Sequence, residues 1–196
     1  DVEPGPVTEL TVTGYPLDDD LLDDLRDVWR RSIFDRFLLE EVRARVTRYL
    51  LQQNLIGSTV DAKVTLATPE RKLVEVTVTP GTTVSGREVR FSGHRAIDAG
   101  TLEDELAAAG LEVDGWLEPR RVAETLEAFY RREGYLAATV RAEMPAVADG
   151  VGILPVSIDE GARFNIGAVR FPGVSPARGA EVAAAAALEP GTAFVT

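Results

Sequence analysis

The sequence has 196 residues, of which 45% are hydrophobic and 27% are charged, a composition typical of globular domains that bury a core. Its formal net charge of -11 opposes a phosphate backbone, and no cluster of Lys or Arg offsets it, which argues against a nucleic-acid partner. The chain contains no cysteine, so disulfides and thiolate chemistry are excluded.

No stretch reaches the roughly 18 consecutive apolar residues that a membrane helix needs, so we expect a soluble chain. The sequence begins at Asp1 rather than at Met. We therefore expect a processed or excised chain, with any export signal or anchor lying outside it.

The chain repeats itself at an offset of 80 residues. The segment Val-Arg-Phe-Ser-Gly at 89–93 returns as Val-Arg-Phe-Pro-Gly at 169–173. The same offset pairs further apolar positions along the chain, among them Val42 with Val122, Val46 with Leu126, Val60 with Val140, Val76 with Val156 and Val78 with Ile158. A single register over most of a chain indicates tandem copies of one structural unit.

The first repeat has patterns typical of strand, helix, helix, strand and strand. Residues 7–13 alternate between apolar and polar, which predicts a one-sided strand. The acidic run at 18–20 favours a helix start because carboxylates stabilise the positive end of the helix dipole. A second helix carries Leu38, Val42 and Val46 on one side, and alternation then predicts strands at 60–66 and 74–78.

The second repeat has the same order, with strands predicted at 88–92, 138–144 and 153–159. Thr101 and Asp104 predict a capping pair at its first helix. Pro119 suits the first turn of the next helix, and Gly134 suits the stop after it.

The third repeat shows only its beginning, a strand predicted at 166–171 and a helix at 180–188. The predicted domains are therefore a first module at 1–81, a second at 82–161 and a truncated third at 162–196. Because a partial module stands at the end, we expect the parent chain to continue.

Connection rules give the topology of each module. The second and third strands are sequential and form a hairpin, and the helical crossover allows the first strand to lie parallel to the third. The second strand is then left at an edge. The predicted fold class is α+β, with tandem βααββ modules that each pack two helices on one face of a three-stranded mixed sheet.

The segment at 130–135, Tyr-Arg-Arg-Glu-Gly-Tyr, resembles the Tyr-x-x-x-Gly-Tyr signature of POTRA (polypeptide-transport-associated) domains. In that family a strand pair and an acidic-Gly turn come next, and Asp-Glu-Gly at 159–161 matches this order. The resemblance extends over about 7–196. The first repeat departs from the signature, with Asn-Leu at 54–55 and Pro-Gly at 80–81.

The resemblance implies a periplasmic region ahead of an outer-membrane barrel, in a BamA-type outer-membrane protein assembly factor that is not an enzyme. The implied partners are unfolded outer-membrane protein precursors, with accessory lipoproteins or periplasmic chaperones as further partners. A TamA-type or secretion transporter is the alternative, as is a purely structural spacer. No cofactor, metal or catalytic group is expected.

The second strand of each module is the predicted binding site, because an unpaired edge strand offers N–H and C=O groups to an extended chain. An equally weighted alternative is that charged residues on these strands only protect the edge from aggregation. The residues expected to bind are Val60, Asp61, Ala62, Lys63, Val64 and Thr65 in the first module, and Thr139, Val140, Arg141, Ala142 and Glu143 in the second.

Other candidate sites have simpler interpretations. His94 follows Gly93 in a turn, and we expect it to face solvent. The Asp residues at 18–24 lack the Gly and Glu of a calcium loop, so we expect a solvated helix start. Trp116 follows a Gly and is expected to be more exposed than a core Trp. The signature residues Tyr130, Gly134 and Tyr135 are expected to serve packing.

Overall fold

The structure is a computed structural model that describes residues 7–31, 35–68, 71–186 and 191. It divides into two compact units, one formed by Asp1–Glu88 with Pro145–Ile153 and the other by Val89–Met144 with Leu154–Thr196. The helices are α1 (Asp19–Arg31), α2 (Asp35–Gln52), α3 (Ala99–Ala108), α4 (Leu111–Leu117), α5 (Pro119–Arg132) and α6 (Pro176–Ala185). The strands are β1 (Val7–Thr13), β2 (Leu55–Ile56), β3 (Thr59–Ala67), β4 (Arg71–Thr79), β5 (Thr82–Thr83), β6 (Arg87–Ser92), β7 (Thr139–Ala142), β8 (Ala146–Ala148) and β9 (Val151–Asp159).

The first sheet has the order β1-β4-β3. β1 is parallel to β4 and β3 is antiparallel to it, so the predicted hairpin and parallel crossover are both confirmed. The register shifts between Val64 and Leu66, which marks a bulge in β3. The short strands β2 and β5 form a separate antiparallel pair.

Helices α1 and α2 supply the other half of this core. Leu25, Val42, Val46 and Leu50 are fully buried, and they pack with Val76 and its neighbours on β4. α1 begins within the acidic run as predicted, and Asp18 caps it by accepting a hydrogen bond of 2.8 Å at Oδ1 from Leu21 N. The apolar faces of the two helices therefore pack against the apolar face of the sheet.

The second sheet has the order β6-β9-β7, with β8 also paired to β9. Val122 and Leu126 of α5 are fully buried, as Val42 and Val46 are at the corresponding positions of α2. The 80-residue register therefore relates core positions as well as letters of the sequence. The predicted βααββ fold class is confirmed.

The helical layer of the second sheet differs from the prediction in two places. Asp98, rather than Thr101, caps α3, since Asp98 Oδ1 accepts from Thr101 N at 3.0 Å, and the predicted pairing of Thr101 with Asp104 is wrong. The additional helix α4 was not predicted. This helix has only seven residues, contains Gly115 and lies between Gly110 and Pro119. Such a short segment shows too little helical periodicity to be predicted from the sequence.

The prediction of a strand at 166–171 is wrong, because these residues form no strand. β1 has β4 as its parallel partner, whereas the described residues offer no such partner to this segment, and an isolated strand leaves its backbone groups unpaired. Helix α6 begins at Pro176, four residues before the predicted start at 180. Residues 187–188 of the predicted helix lie outside the described residues.

Two side-chain expectations are also wrong. Trp116 is 5% exposed and belongs to the core of the second sheet. His94 is half-buried rather than facing solvent, with its ring edge-on to Phe91 at a centroid distance of 6.1 Å. The residues that precede Trp116 and His94 in the chain do not show which distant apolar neighbours cover them.

Candidate functional site

β3 lies at one end of its sheet and pairs with β4 alone within the described residues. In an antiparallel pair, successive residues direct their backbone groups alternately toward and away from the neighbouring strand. Arg43 Nη2 of α2 donates to Ala62 O at 2.5 Å, which shows that Ala62 directs its backbone away from β4. Val60 and Val64, two positions to either side, share this outward direction.

β7 occupies the same place in the second sheet, next to β9 alone in the described part of the chain. Glu143 N donates to Pro155 O at 3.0 Å, so the odd-numbered positions here direct their backbones toward β9. Val140 N points away from β9 and donates to Glu127 Oε1 of α5 at 3.1 Å. Val140 and Ala142 therefore direct their backbone groups outward.

The structure places all eleven predicted residues on or beside these two edges. They form two separate sets, one along β3 and one along β7, and each set alternates between the two faces of its sheet. Asp61, Lys63, Thr65, Thr139, Arg141 and Glu143 are exposed, Val60, Val64 and Ala142 are half-buried, and Ala62 and Val140 are buried. Apart from Thr65, which lies at the bulge, the exposed side chains belong to residues whose backbone groups face the neighbouring strand.

Sequence reasoning missed two features of the edges. β1 and β6 lie at the opposite ends of the two sheets, so both the three-stranded first sheet and the four-stranded second sheet have a second edge. It also missed that Arg43 and Glu127 reach from the adjacent helices to the backbones of the edge strands. No local pattern marks these contacts, because the partners are 19 and 13 residues apart in the chain.

A groove of about 480 Å³ runs between β7 and the start of α5. Its apolar part consists of Pro119, Ala142 and Met144, and Met144 is 73% exposed. Arg120 and Arg121 line its rim. The groove therefore presents apolar and cationic side chains next to each other beside β7.

Tyr130 of the signature belongs to a hydrogen-bond network centred on Glu160. Tyr130 is fully buried, and its hydroxyl donates to Glu160 Oε1 at 3.0 Å. Glu160 also accepts from the backbone N–H groups of Arg95 and Ala96, at 2.9 Å and 3.0 Å. Although burial alone would raise the pKa of Glu160, these donors hold that pKa below its ordinary value. The carboxylate thus joins α5 to the loop after β6.

The connector after each sheet returns to the end of its own long helix. Val84 N donates to Asn54 O at 3.0 Å, and Phe164 N donates to Gly134 O at 2.8 Å, a pair of contacts separated by 80 residues. Both acceptors have a left-handed backbone, with φ of 59° at Asn54 and 91° at Gly134. The first repeat thus keeps the geometry of the signature where its residues depart from it.

The helices of the described residues include none that is both long enough and apolar enough to cross a membrane. Those same residues contain no group of three or more His, Cys, Asp or Glu able to hold a metal ion. The chemistry that the geometry does present is backbone hydrogen bonding at the two strand edges.

A three-stranded mixed sheet with helices on one face and its second strand at the edge defines a βααββ module of the α+β class. Residues 86–161 match the model of the POTRA family, described as "Surface antigen variable number repeat". No curated protein matches the chain.

Two solved structures have a similar fold. POTRA domains 3–5 of BamA from Haemophilus influenzae are 19% identical with a TM-score of 0.58, over 97% of this chain and 80% of that one. BamA from Haemophilus ducreyi lacking POTRA domains 1–3 is 18% identical with a TM-score of 0.54, over 84% of this chain and 30% of that one. The predicted resemblance is confirmed, because residues 86–161 match the POTRA family model and the chain has a fold similar to that of POTRA domains 3–5 of BamA.

Proposed function

We propose that this chain is the periplasmic interaction region of an outer-membrane protein assembly factor, and that β3 and β7 hold unfolded β-barrel precursors by strand addition. One observation carries the proposal: the second strand of each repeat lies at a sheet edge and directs alternate backbone groups outward. Its fold, shared with the POTRA domains of BamA, supports the setting.

Strand addition suits clients of many sequences. Main-chain N–H and C=O groups supply the hydrogen bonds, and these groups are the same in every client. A barrel precursor has strands that alternate between apolar and polar residues. Such a strand on β7 would direct apolar side chains over Ala142 and Met144 and polar ones toward the exposed face that carries Arg141.

The proposal includes the partners and the setting of the parent protein. The clients are unfolded outer-membrane protein precursors, accessory lipoproteins or periplasmic chaperones are further partners, and a membrane barrel follows in the parent chain. A TamA-type or secretion transporter would use the same edges in the same way.

A peptide titration followed by amide chemical shifts tests this proposal. The probe is a ten-residue peptide with the alternating pattern of a barrel strand, and the control is the same peptide N-methylated at alternate amides, which removes its donors. Shifts are expected on Val60, Ala62, Val140 and Ala142, with the N-methylated peptide inactive. Shifts confined to β1 and β6, or absent altogether, would contradict the proposal.

A matched pair of variants locates the site. Ala142→Pro removes an outward N–H, and it leaves the ladder to β9 intact because that N–H does not face β9. We expect Ala142→Pro to abolish the shifts at β7 and to preserve those at β3. Thr11→Ala on β1, at the opposite edge of the first sheet, is expected to leave both sets of shifts unchanged.

A structural spacer is the second candidate function. Lys63 forms an ion pair with Glu75 at 3.6 Å, and charged side chains on an edge strand discourage pairing with other chains. A spacer would show no saturable shifts with any peptide, whereas the proposed binder shows saturation at defined residues.

A further inference from the structure

Each edge strand already has one outward backbone group bonded to a side chain of the adjacent helix. Glu127 Oε1 accepts from Val140 N at 3.1 Å on β7, and Arg43 Nη2 donates to Ala62 O at 2.5 Å on β3. The two contacts have opposite chemistry. Glu127 occupies the position of a partner strand's carbonyl, and Arg43 occupies the position of a partner strand's N–H.

These contacts compete with strand addition in two ways. The Val140 N–H makes one well-directed hydrogen bond, which Glu127 already holds. The guanidinium of Arg43 stands on the outward side of Ala62 O, where the N–H of an added strand would lie. β7 has only four residues, Thr139–Ala142, and two of them face outward. One occupied donor there removes a large part of the available edge. Ala62 lies midway between the outward residues Val60 and Val64, so Arg43 interrupts the edge of β3 at its centre.

A second ionic partner stands beside each of the two side chains. Arg131 Nη2 lies 3.0 Å from Glu127 Oε2, and Asp61 Oδ1 lies 3.5 Å from Arg43 Nη2. A carboxylate or guanidinium that leaves the backbone therefore keeps an opposite charge within reach. Displacement costs less than it would for an isolated buried ion, so these contacts are suited to opening.

The two contacts are not copies of each other. At the 80-residue offset, Arg43 corresponds to Ala123 and Glu127 corresponds to Thr47. The repeats therefore share their edge but not the side chain that occupies it. Each edge strand therefore has its own side-chain partner within a common fold.

We propose that Glu127 and Arg43 are gating residues that hold the edges of β7 and β3 partly closed and set the affinity of each edge for an incoming strand separately. This inference rests on the proposed function and adds its regulation. A client strand binds β7 by replacing the carboxylate of Glu127 with one of its carbonyl groups. It binds β3 by replacing the guanidinium of Arg43 with one of its N–H groups.

Hydrogen exchange without any peptide tests the gate on β7 independently of binding. Glu127→Ala is expected to speed exchange of the Val140 amide roughly fivefold, the factor that loss of one ordinary hydrogen bond gives. Glu127→Gln keeps an acceptor oxygen and is expected to leave that rate near wild type. Glu124→Ala, one turn earlier and paired with Arg120, is the control for general loosening of α5.

Titration with the barrel-strand peptide then tests the consequence. Glu127→Ala is expected to tighten binding at β7 roughly fivefold and to leave β3 unchanged, while Arg43→Ala is expected to do the reverse. Thermal unfolding of each variant confirms that it is folded before the titration.

The outcomes separate this inference from the proposed function. Faster Val140 exchange with unchanged or weaker peptide binding at β7 would overturn the gate and leave strand addition standing. Val140 exchange unaffected by Glu127→Ala would overturn the gate at its first step. No peptide binding to the wild type or to either Ala variant would overturn the proposed function and the gate together.

Discussion

The hydrogen bond between Tyr130 and Glu160 supports a quantitative prediction about the stability of the second sheet. Tyr130→Phe removes a hydroxyl that donates to a carboxylate at 3.0 Å and changes almost nothing else in the core. A hydrogen bond to a charged group contributes about 1.5–3 kcal/mol, and Glu160 keeps two backbone donors in the variant. We therefore expect a loss of about 2 kcal/mol, which lowers the Tm of a domain of this size by roughly 10 °C.

The same site predicts a pH dependence with a definite sign. The folded pKa of Glu160 is below its ordinary value, so its contribution to stability is complete above the ordinary Glu pKa of about 4.3. That contribution is lost as the pH falls through the lower, folded pKa. Burial and the bond to Glu160 raise the pKa of Tyr130, so its hydroxyl remains protonated and keeps donating across the neutral range.

Urea unfolding measured by Trp fluorescence is the assay. The chain has two Trp residues, so a Trp29→Phe background leaves Trp116, which is buried in the second sheet, as the single reporter. Glu160→Gln in this background is expected to lower stability at pH 7 and to match the parent increasingly well below about pH 4.

Tyr135→Phe is the control, since the hydroxyl of Tyr135 does not bond Glu160 in the network above. A Tyr130→Phe variant within about 0.3 kcal/mol of the parent would refute the energetic argument. A difference between Glu160→Gln and the parent that stays constant from pH 7 into acid would refute the assigned pKa direction.

The core and the left-handed positions give the remaining predictions. Leu126→Ala truncates a fully buried side chain on α5, and it is expected to cost about 2–5 kcal/mol in urea unfolding, whereas a cost below 1 kcal/mol would contradict its core position. Gly134→Ala is expected to cost about 1 kcal/mol or more in stability because φ there is 91°. Asn54→Gly, at φ of 59°, is expected to change stability by less than about 0.5 kcal/mol. Equal effects at the two sites would contradict their common left-handed geometry.

The 80-residue register of the sequence predicts the repeated architecture by itself. Val42 with Val122 and Val46 with Leu126 are buried at matching places, because a repeated apolar period forces the same helix face against the same kind of sheet. Connection rules then placed β3 and β7 at edges, as the strand orders show. Patterns with a period of a few residues, supported by a long-range repeat, are readable from the sequence alone.

Contacts between distant residues required the tertiary structure. The segment at 166–171 alternates like a strand but forms none, because a strand depends on a partner that its own sequence does not contain. Trp116 is buried for a similar reason, since its neighbours rather than its flanking Gly decide its exposure. Glu127 and Arg43 look like ordinary surface charges in the sequence, and only the packing of α5 on β7 and α2 on β3 brings them to the backbone groups of the edges.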